Sequence, residues 1–212
     1  MKPEAAATLP SLRVPYVIAY SGELVSDPIH FVKDYRPFAD VKLSYAEPRP
    51  GDYAYGVLRA RARMNRQGKP EWRKLNPRRQ WRCMDKLWCQ VCGKPATDQY
   101  GRIPWILTET VFRWDEQDTA ITSAPPTCWA CIPESLTSCP RLRTSSVVYT
   151  AGYALPVGVL GQIYDALFNG EVIPTEHRNV EVRLKDQRLL SRVLAHQLIV
   201  RVFDLQAVSL TR

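Results

Sequence analysis

Two Cys-x-x-Cys pairs, Cys89/Cys92 and Cys128/Cys131, separated by 35 residues, are the side chains of this 212-residue sequence best suited to chemistry. Each pair puts two thiols on one tight turn, and two such turns brought together supply the tetrahedral sulfur set that Zn²⁺ takes. The first hook runs on into Gly93-Lys94-Pro95, and a glycine there suits a knuckle whose backbone needs φ > 0 and whose amides turn back toward sulfur. The second runs on into Ile132-Pro133-Glu134. Proline is tolerated in the first turn of a helix, so a helix is expected to begin here with its positive end beside the thiolates. Cys83 and Cys139 flank the hooks, and either could replace a hook cysteine or remain a buried thiol.

Competing chemistries fit the sequence less well. Six cysteines could pair as disulfides in an exported protein, but Met1 to Tyr20 is interrupted by Pro3, Pro10, Arg13 and Pro15 and lacks the apolar run of a signal peptide. A reducing, cytoplasmic setting is the expectation. A redox Cys-x-x-Cys usually stands alone, whereas here a second pair answers the first. A catalytic zinc site mixes in histidine or carboxylate and keeps a position open. No histidine occurs between Asp34 and Glu176, which argues against a His-Asn-His type nuclease, and the His/Cys-x-Glu motif of a zinc deaminase is missing. The expected cofactor is therefore a structural Zn²⁺. His30, His177 and His196 lie far apart, and no Walker or Gly-x-Gly-x-x-Gly motif occurs.

The second concentration of chemistry is charge. The net charge is +8, and residues 58–102 alone carry thirteen Lys and Arg against three Asp and Glu. From Val57 onward, Val57-Leu58-Arg59-Ala60-Arg61-Ala62-Arg63-Met64 alternates as a half-buried strand does, following directly on Tyr53-Ala54-Tyr55-Gly56. Arg59, Arg61 and Arg63 then share one face with Tyr53, Tyr55 and Val57. Like charges side by side need an acidic partner or a phosphate backbone opposite them. Asn76-Pro77 next reads as an N-cap and first helical residue opening a helix through Trp88. On that helix Trp81, Met84, Leu87 and Trp88 cluster on one side and Arg79, Arg82 and Lys86 on the other. Arg59, Arg61, Arg63, Arg78, Arg79, Arg82 and Lys86 are thus the candidate phosphate contacts, with Trp72 or Tyr55 as stacking surfaces and Trp81 and Trp88 as core.

The elements that must position these residues read as α+β. Short antiparallel strands surround a treble-clef-like zinc module, in which the strand-forming stretch Ile103 to Phe112 and a polar turn at Asp115 to Asp118 build a hairpin between hooks and helix. Residues 1–12 are expected to be a flexible tail, 13–75 a β-rich part with the basic strand, 76–145 the zinc module, and 146–212 an α/β part on the same core. Within the last part, the glycine-punctuated stretch Tyr149 to Ile173 reads as strands. Leu189, Leu190, Val193, Leu194, Gln197 and Leu198 give an amphipathic helix capped by Asp186, and Val200 to Leu210 a final strand. No apolar run approaches the roughly 20 residues that span a bilayer.

The stretch from Asn76 to Cys92, Pro125-Pro126-Thr127-Cys128-Trp129-Ala130-Cys131, and Cys139-Pro140-Arg141-Leu142 resemble a family of functionally unassigned actinobacterial proteins. That resemblance implies a small cytoplasmic zinc-type protein and brings no activity with it. The residues themselves point first to a non-enzymatic module whose zinc-held basic face binds DNA or RNA, as a regulator or accessory factor. The alternatives are an enzyme or enzyme partner in specialised metabolism with structural zinc and a pocket elsewhere, and an adaptor whose basic face meets an acidic protein partner.

Overall fold

The computed structural model describes residues 13–35, 39–108, 112–114, 119–168 and 170–209. The expected tail at 1–12 and the polar turn at 115–118 lie outside them. In chain order the strands are β1 (Ile18–Tyr20), β2 (Ile29–Lys33), β3 (Val41–Tyr45), β4 (Tyr53–Ala54), β5 (Val57–Arg59) and β6 (Pro70–Leu75). Helix α1 (Pro77–Lys86) follows, then β7 (Ile103–Leu107), β8 (Phe112–Trp114) and β9 (Ala120–Thr122). Helices α2 (Ile132–Ser138) and α3 (Pro140–Thr144) precede β10 (Val147–Ala151), β11 (Tyr153–Ala166), β12 (Val172–Pro174) and β13 (Val180–Arg183). A four-residue turn of helix, α4 (Gln187–Leu190), leads into β14 (Val193–Phe203) and β15 (Gln206–Val208).

The largest sheet is organised around β11 and β14, which pair antiparallel from Tyr153↔Phe203 to Ile163↔Val193. Along its other edge β11 takes β13 and β12. The outer edge of β14 takes β5 in parallel at Leu194↔Leu58 and β9 antiparallel at Val200↔Thr122, with β4 beyond β5 and β8 beyond β9. A second sheet has the order β15-β10-β7. Between the β5 and β9 pairings the edge of β14 would be bare, and the Gln80 side chain of α1 fills the gap. Its amide donates to the carbonyls of Leu198 (2.9 Å) and Ser123 (2.8 Å), and the Leu198 N–H donates to its carbonyl oxygen (2.8 Å). One side chain thus completes the backbone pairing and fastens α1 to the sheet.

Val57, Trp81, Met84, Cys89, Trp105, Val159, Leu198 and Val202 belong to one buried cluster that runs from both sheets through α1 to the first hook. The hooks are therefore walls of the main core. Elements from 13–75, 76–145 and 146–212 all contribute to it.

The α+β expectation of a treble-clef-like module with a C-terminal amphipathic helix is overturned, because sheets dominate and the longest helix among the described residues, α1, has 10 residues. Knuckle, hairpin and helix do follow one another as Cys89–Cys92, β8–β9 and α2. The strands are nonetheless shared with the large sheets: β7 pairs with β10 and β9 with β14. Asp186 does cap a helical turn, its carboxylate accepting from the Leu189 N–H at 3.1 Å, but the chain extends from Val193 onward. The residues that suggested a helix fall in two elements: Leu189 and Leu190 lie in α4, and Val193, Leu194, Gln197 and Leu198 in β14. No residue of β14 is exposed, so apolar side chains occupy both of its faces, and a strand covered on both sides cannot be told from a buried helix by periodicity. A bulge at His196, where Leu160 pairs with Gln197 and Gly161 with Ala195, blurs the alternation further.

Candidate metal centre and cationic groove

The first hook follows directly from α1. Leu87 closes that helix in the left-handed region (φ 52°), and the chain then turns through Cys89-Gln90-Val91-Cys92-Gly93. Cys89 N–H donates to the Lys94 carbonyl at 2.7 Å and Gly93 N–H to the Cys89 carbonyl at 2.8 Å, closing the knuckle. Gly93 has φ +70°, and a Cβ there would lie 2.8 Å from ring carbons of Tyr16, so both conformation and contact demand glycine. The Val91 amide points at Cys89 Sγ (3.4 Å), an N–H···S bond that favours thiolate.

The second hook is brought alongside by Gln90. Its backbone N–H donates to the Pro126 carbonyl (2.9 Å), and its side-chain amide reaches the Pro125 carbonyl and Thr127 Oγ1, each at 3.0 Å. The chain turns through Cys128 to Cys131 in a single 3₁₀ turn and enters α2 with Pro133 in its first turn, where the sequence placed a helix start. The sulfurs of Cys89, Cys92, Cys128 and Cys131 all lie within 4.8 Å of one another, and Cys92 Sγ is 3.8 Å from Cys128 Sγ. A tetrahedron with Zn–S arms of about 2.3 Å has edges of about 3.8 Å, so the separation fits a thiophilic tetrahedral ion and is compatible with zinc. All six cysteines are free of disulfides.

The protonation energetics favour the same chemistry. Burial pushes the Cys89 thiol up to about 11 and raises Cys131 further, with the neighbouring sulfur charges adding to the effect at Cys131. At Cys92 burial also acts upward, but hydrogen bonds from the Lys94 amide and the other thiols outweigh it and hold the thiol below its ordinary value. Four thiols packed together cannot all ionise alone, and a divalent cation is what makes their joint ionisation favourable. Cys83 is fully buried, pushed up to about 12 by that burial, with its Sγ 3.8 Å from the Cys89 carbonyl. Neither it nor Cys139 belongs to the tetrad.

The basic segment sorts into different environments. A groove of about 370 Å³ gathers Arg49, Arg59, Arg61, Arg63 and Arg78, with Asp27 and Asp52 also in its walls. The strand behind it, β5, ends at Arg59, short of the alternation that runs on to Met64, and Tyr55 (φ 51°) and Gly56 (φ 80°) form a two-residue turn that folds β4 back on β5, so Tyr53 and Tyr55 do not extend the arginine face. Ala60 and Ala62 are buried, and both also line the groove between the arginines. Arg61 is committed to protein: it ion-pairs with Asp52 at 2.7 Å and with Asp27, and its guanidinium lies 3.8 Å from the Tyr45 ring centroid. Arg59 bonds the Gly51 carbonyl and stacks over Trp81 at 5.5 Å. Arg63 is exposed and makes no side-chain ion pair among the described residues, and Arg78 is exposed with one long bond, 3.4 Å, to the Ala62 carbonyl. Arg82 and Lys86 are exposed and lie over Trp88, at 5.8 and 5.3 Å.

Arg79 does not share that exposed face. It is 1% exposed and grips Glu23, itself 1% exposed, with two guanidinium nitrogens, one at 2.7 Å. The Glu23 carboxylate also accepts from the amides of Tyr20 and Arg66 (2.9 Å each) and from Asn76 Nδ2 (3.0 Å). Asn76, expected only as a cap, caps Arg79 N–H at 3.2 Å and completes this network. Sequence reasoning did not single out Glu23, Gln80, Gln90 or Arg49. Their roles depend on partners distant in sequence, and no local pattern around them signals burial or pairing.

Trp81 is core, as its helical spacing indicated, while Trp72 and Tyr55 are about half exposed. None of the described helices is long and apolar enough to cross a membrane. No protein-family model, curated protein or solved structure matches this chain.

Proposed function

We propose that this chain is a non-enzymatic protein in which a structural Zn²⁺, held by Cys89, Cys92, Cys128 and Cys131, fixes a cationic groove that binds nucleic acid. The observation that carries the reading is the groove itself: five arginines face two aspartates there, and both aspartates are engaged by Arg61, so Arg63 and Arg78 present charge outward. An all-sulfur donor set is a closed one, which suits a staple and not a reaction centre. Thiols kept for a metal imply a reducing compartment, the cytoplasm. The kinship with unassigned actinobacterial proteins rests on the hook and helix motifs and is part of this proposal.

Phosphate contacts displace counterions, so affinity falls with salt, the slope being about −0.7 per contact for a single strand and about −0.9 for duplex. The test is fluorescence anisotropy of labelled oligonucleotides across a salt series, with wild type and the double variant Arg63→Glu/Arg78→Glu. Both positions are exposed, so the variant keeps the fold, which charge reversal at Arg61 or Arg79 would not. Binding that tightens as salt falls and collapses in the variant is expected. Retained affinity in the variant overturns the reading.

A further inference from the structure

A second cleft, of about 540 Å³, opens beside the sulfur tetrad and is lined by Arg13, Val14, Tyr16, Tyr20, Arg66 and Cys92 among others, with no acidic residue among the described residues of its walls. Arg66 stands in the left-handed region (φ 53°), where its amide donates to the Glu23 carboxylate. Its guanidinium lies 5.3 Å over the Tyr20 ring and bonds the Val14 carbonyl at 3.1 Å. Arg13 is half exposed, 3.6 Å from Glu134 and 3.9 Å from Cys131 Sγ. Two cations and two phenol rings therefore face one concavity.

The two clefts are neighbours. Arg63 lines the first and Arg66 the second, and three residues of chain reach at most about 10 Å. Both ends of that short loop are tied to Glu23: the Arg63 N–H donates to its backbone carbonyl and the Arg66 N–H to its carboxylate, each at 2.9 Å. The buried Arg79–Glu23 pair thus sets the spacing between the clefts.

We propose, resting on the nucleic-acid reading above, that the two clefts form one track for a single strand. Phosphates pass Arg78 and Arg63, cross the Arg63–Arg66 loop, and meet Arg66 and Arg13 beside the tetrad. Arg66 lies over the Tyr20 ring, Arg79 lies 5.7 Å from the Tyr16 centroid and Trp81 stacks on half-exposed Tyr55, so a base stacks there on the ring surface these partners leave open. A duplex hides its base faces in its own stack and makes no use of those rings, whereas an unpaired strand uses both rings and cations.

The test measures labelled oligothymidylate of about twelve nucleotides, within the usual range of single-strand site sizes, and a duplex of the same length. Each is titrated across salt with wild type, Arg78→Ala, Arg66→Ala and Arg66→Lys. The track predicts tighter binding of the single strand, and a salt slope shallower by about 0.7 for each of the two alanine variants. Arg66→Lys should restore the slope, since it keeps the charge while losing the Val14 bond. If Arg78→Ala weakens binding and Arg66→Ala does not, or if duplex binds as well as the single strand, the track is wrong and the first groove stands. If wild type binds neither, the nucleic-acid reading falls as well.

Discussion

Replacing Arg79 with alanine should unfold far more of this protein's stability than removing any other cation of the basic segment. In the native state the Glu23 carboxylate takes two guanidinium bonds, two backbone amides and the Asn76 amide, with both ionic side chains 1% exposed. Deleting one member of a buried pair leaves an uncompensated charge and costs about 3–5 kcal/mol. For a chain of this size each kcal/mol lowers Tm by about 2–4 °C, so the expected drop is roughly 6–20 °C. Arg63→Ala, at an exposed position, should stay within about 0.5 kcal/mol of wild type. Thermal and urea melts followed by tryptophan fluorescence measure both. Acid supplies an independent check. Burial pushes the Glu23 carboxyl up, but Arg79, the Tyr20 amide, Asn76 and the Arg66 amide together hold it below its ordinary value. Its folded pKa is thus lower than its unfolded value near 4.3, so its contribution is complete above that value and is lost as the pH falls through the folded pKa. Glu23→Gln should be less stable at neutral pH and should lose less on going below about pH 4 than wild type does. An Arg79→Ala protein that melts with wild type yet fails to bind oligonucleotide would refute the reasoning and return Arg79 to the phosphate-contact set.

Gly93→Ala puts a Cβ 2.8 Å from the Tyr16 ring at φ +70°; it should cost about 1–3 kcal/mol and speed metal loss to a chelator, read with a chromogenic zinc indicator. Gln80→Leu leaves the Leu198 N–H and carbonyl and the Ser123 carbonyl without their side-chain partner. It should lower urea stability by about 2–4 kcal/mol, and a neutral result would mean that β14 needs no filling at that gap. Cys83→Ala should retain one metal per chain, whereas Cys128→Ser should not; metal analysis after gel filtration distinguishes them.

What the sequence made legible was local. The Asn76-Pro77 start of α1 and the Pro133 start of α2 are set by backbone chemistry within a few residues, and the four hook sulfurs by spacing. Non-local features were hidden. The helical wheel puts Arg79 beside Arg82 and Lys86, and only the return of Glu23 from the far side of β2–β5 makes its burial tolerable. β14 read as a helix because it is covered on both faces, and which strands cover it depends on partners distant in sequence. The Tyr55-Gly56 turn was concealed by the alternation that runs on from it, and alternation reports which face is buried and not where a strand ends.

Four sulfurs are expected to hold one zinc ion. X-ray absorption at the zinc edge of protein purified without added metal tests this most directly. One zinc per chain with four sulfur neighbours at about 2.3 Å is the expected spectrum. A nitrogen or oxygen in that shell, or protein that purifies metal-free with its fold intact, would contradict it.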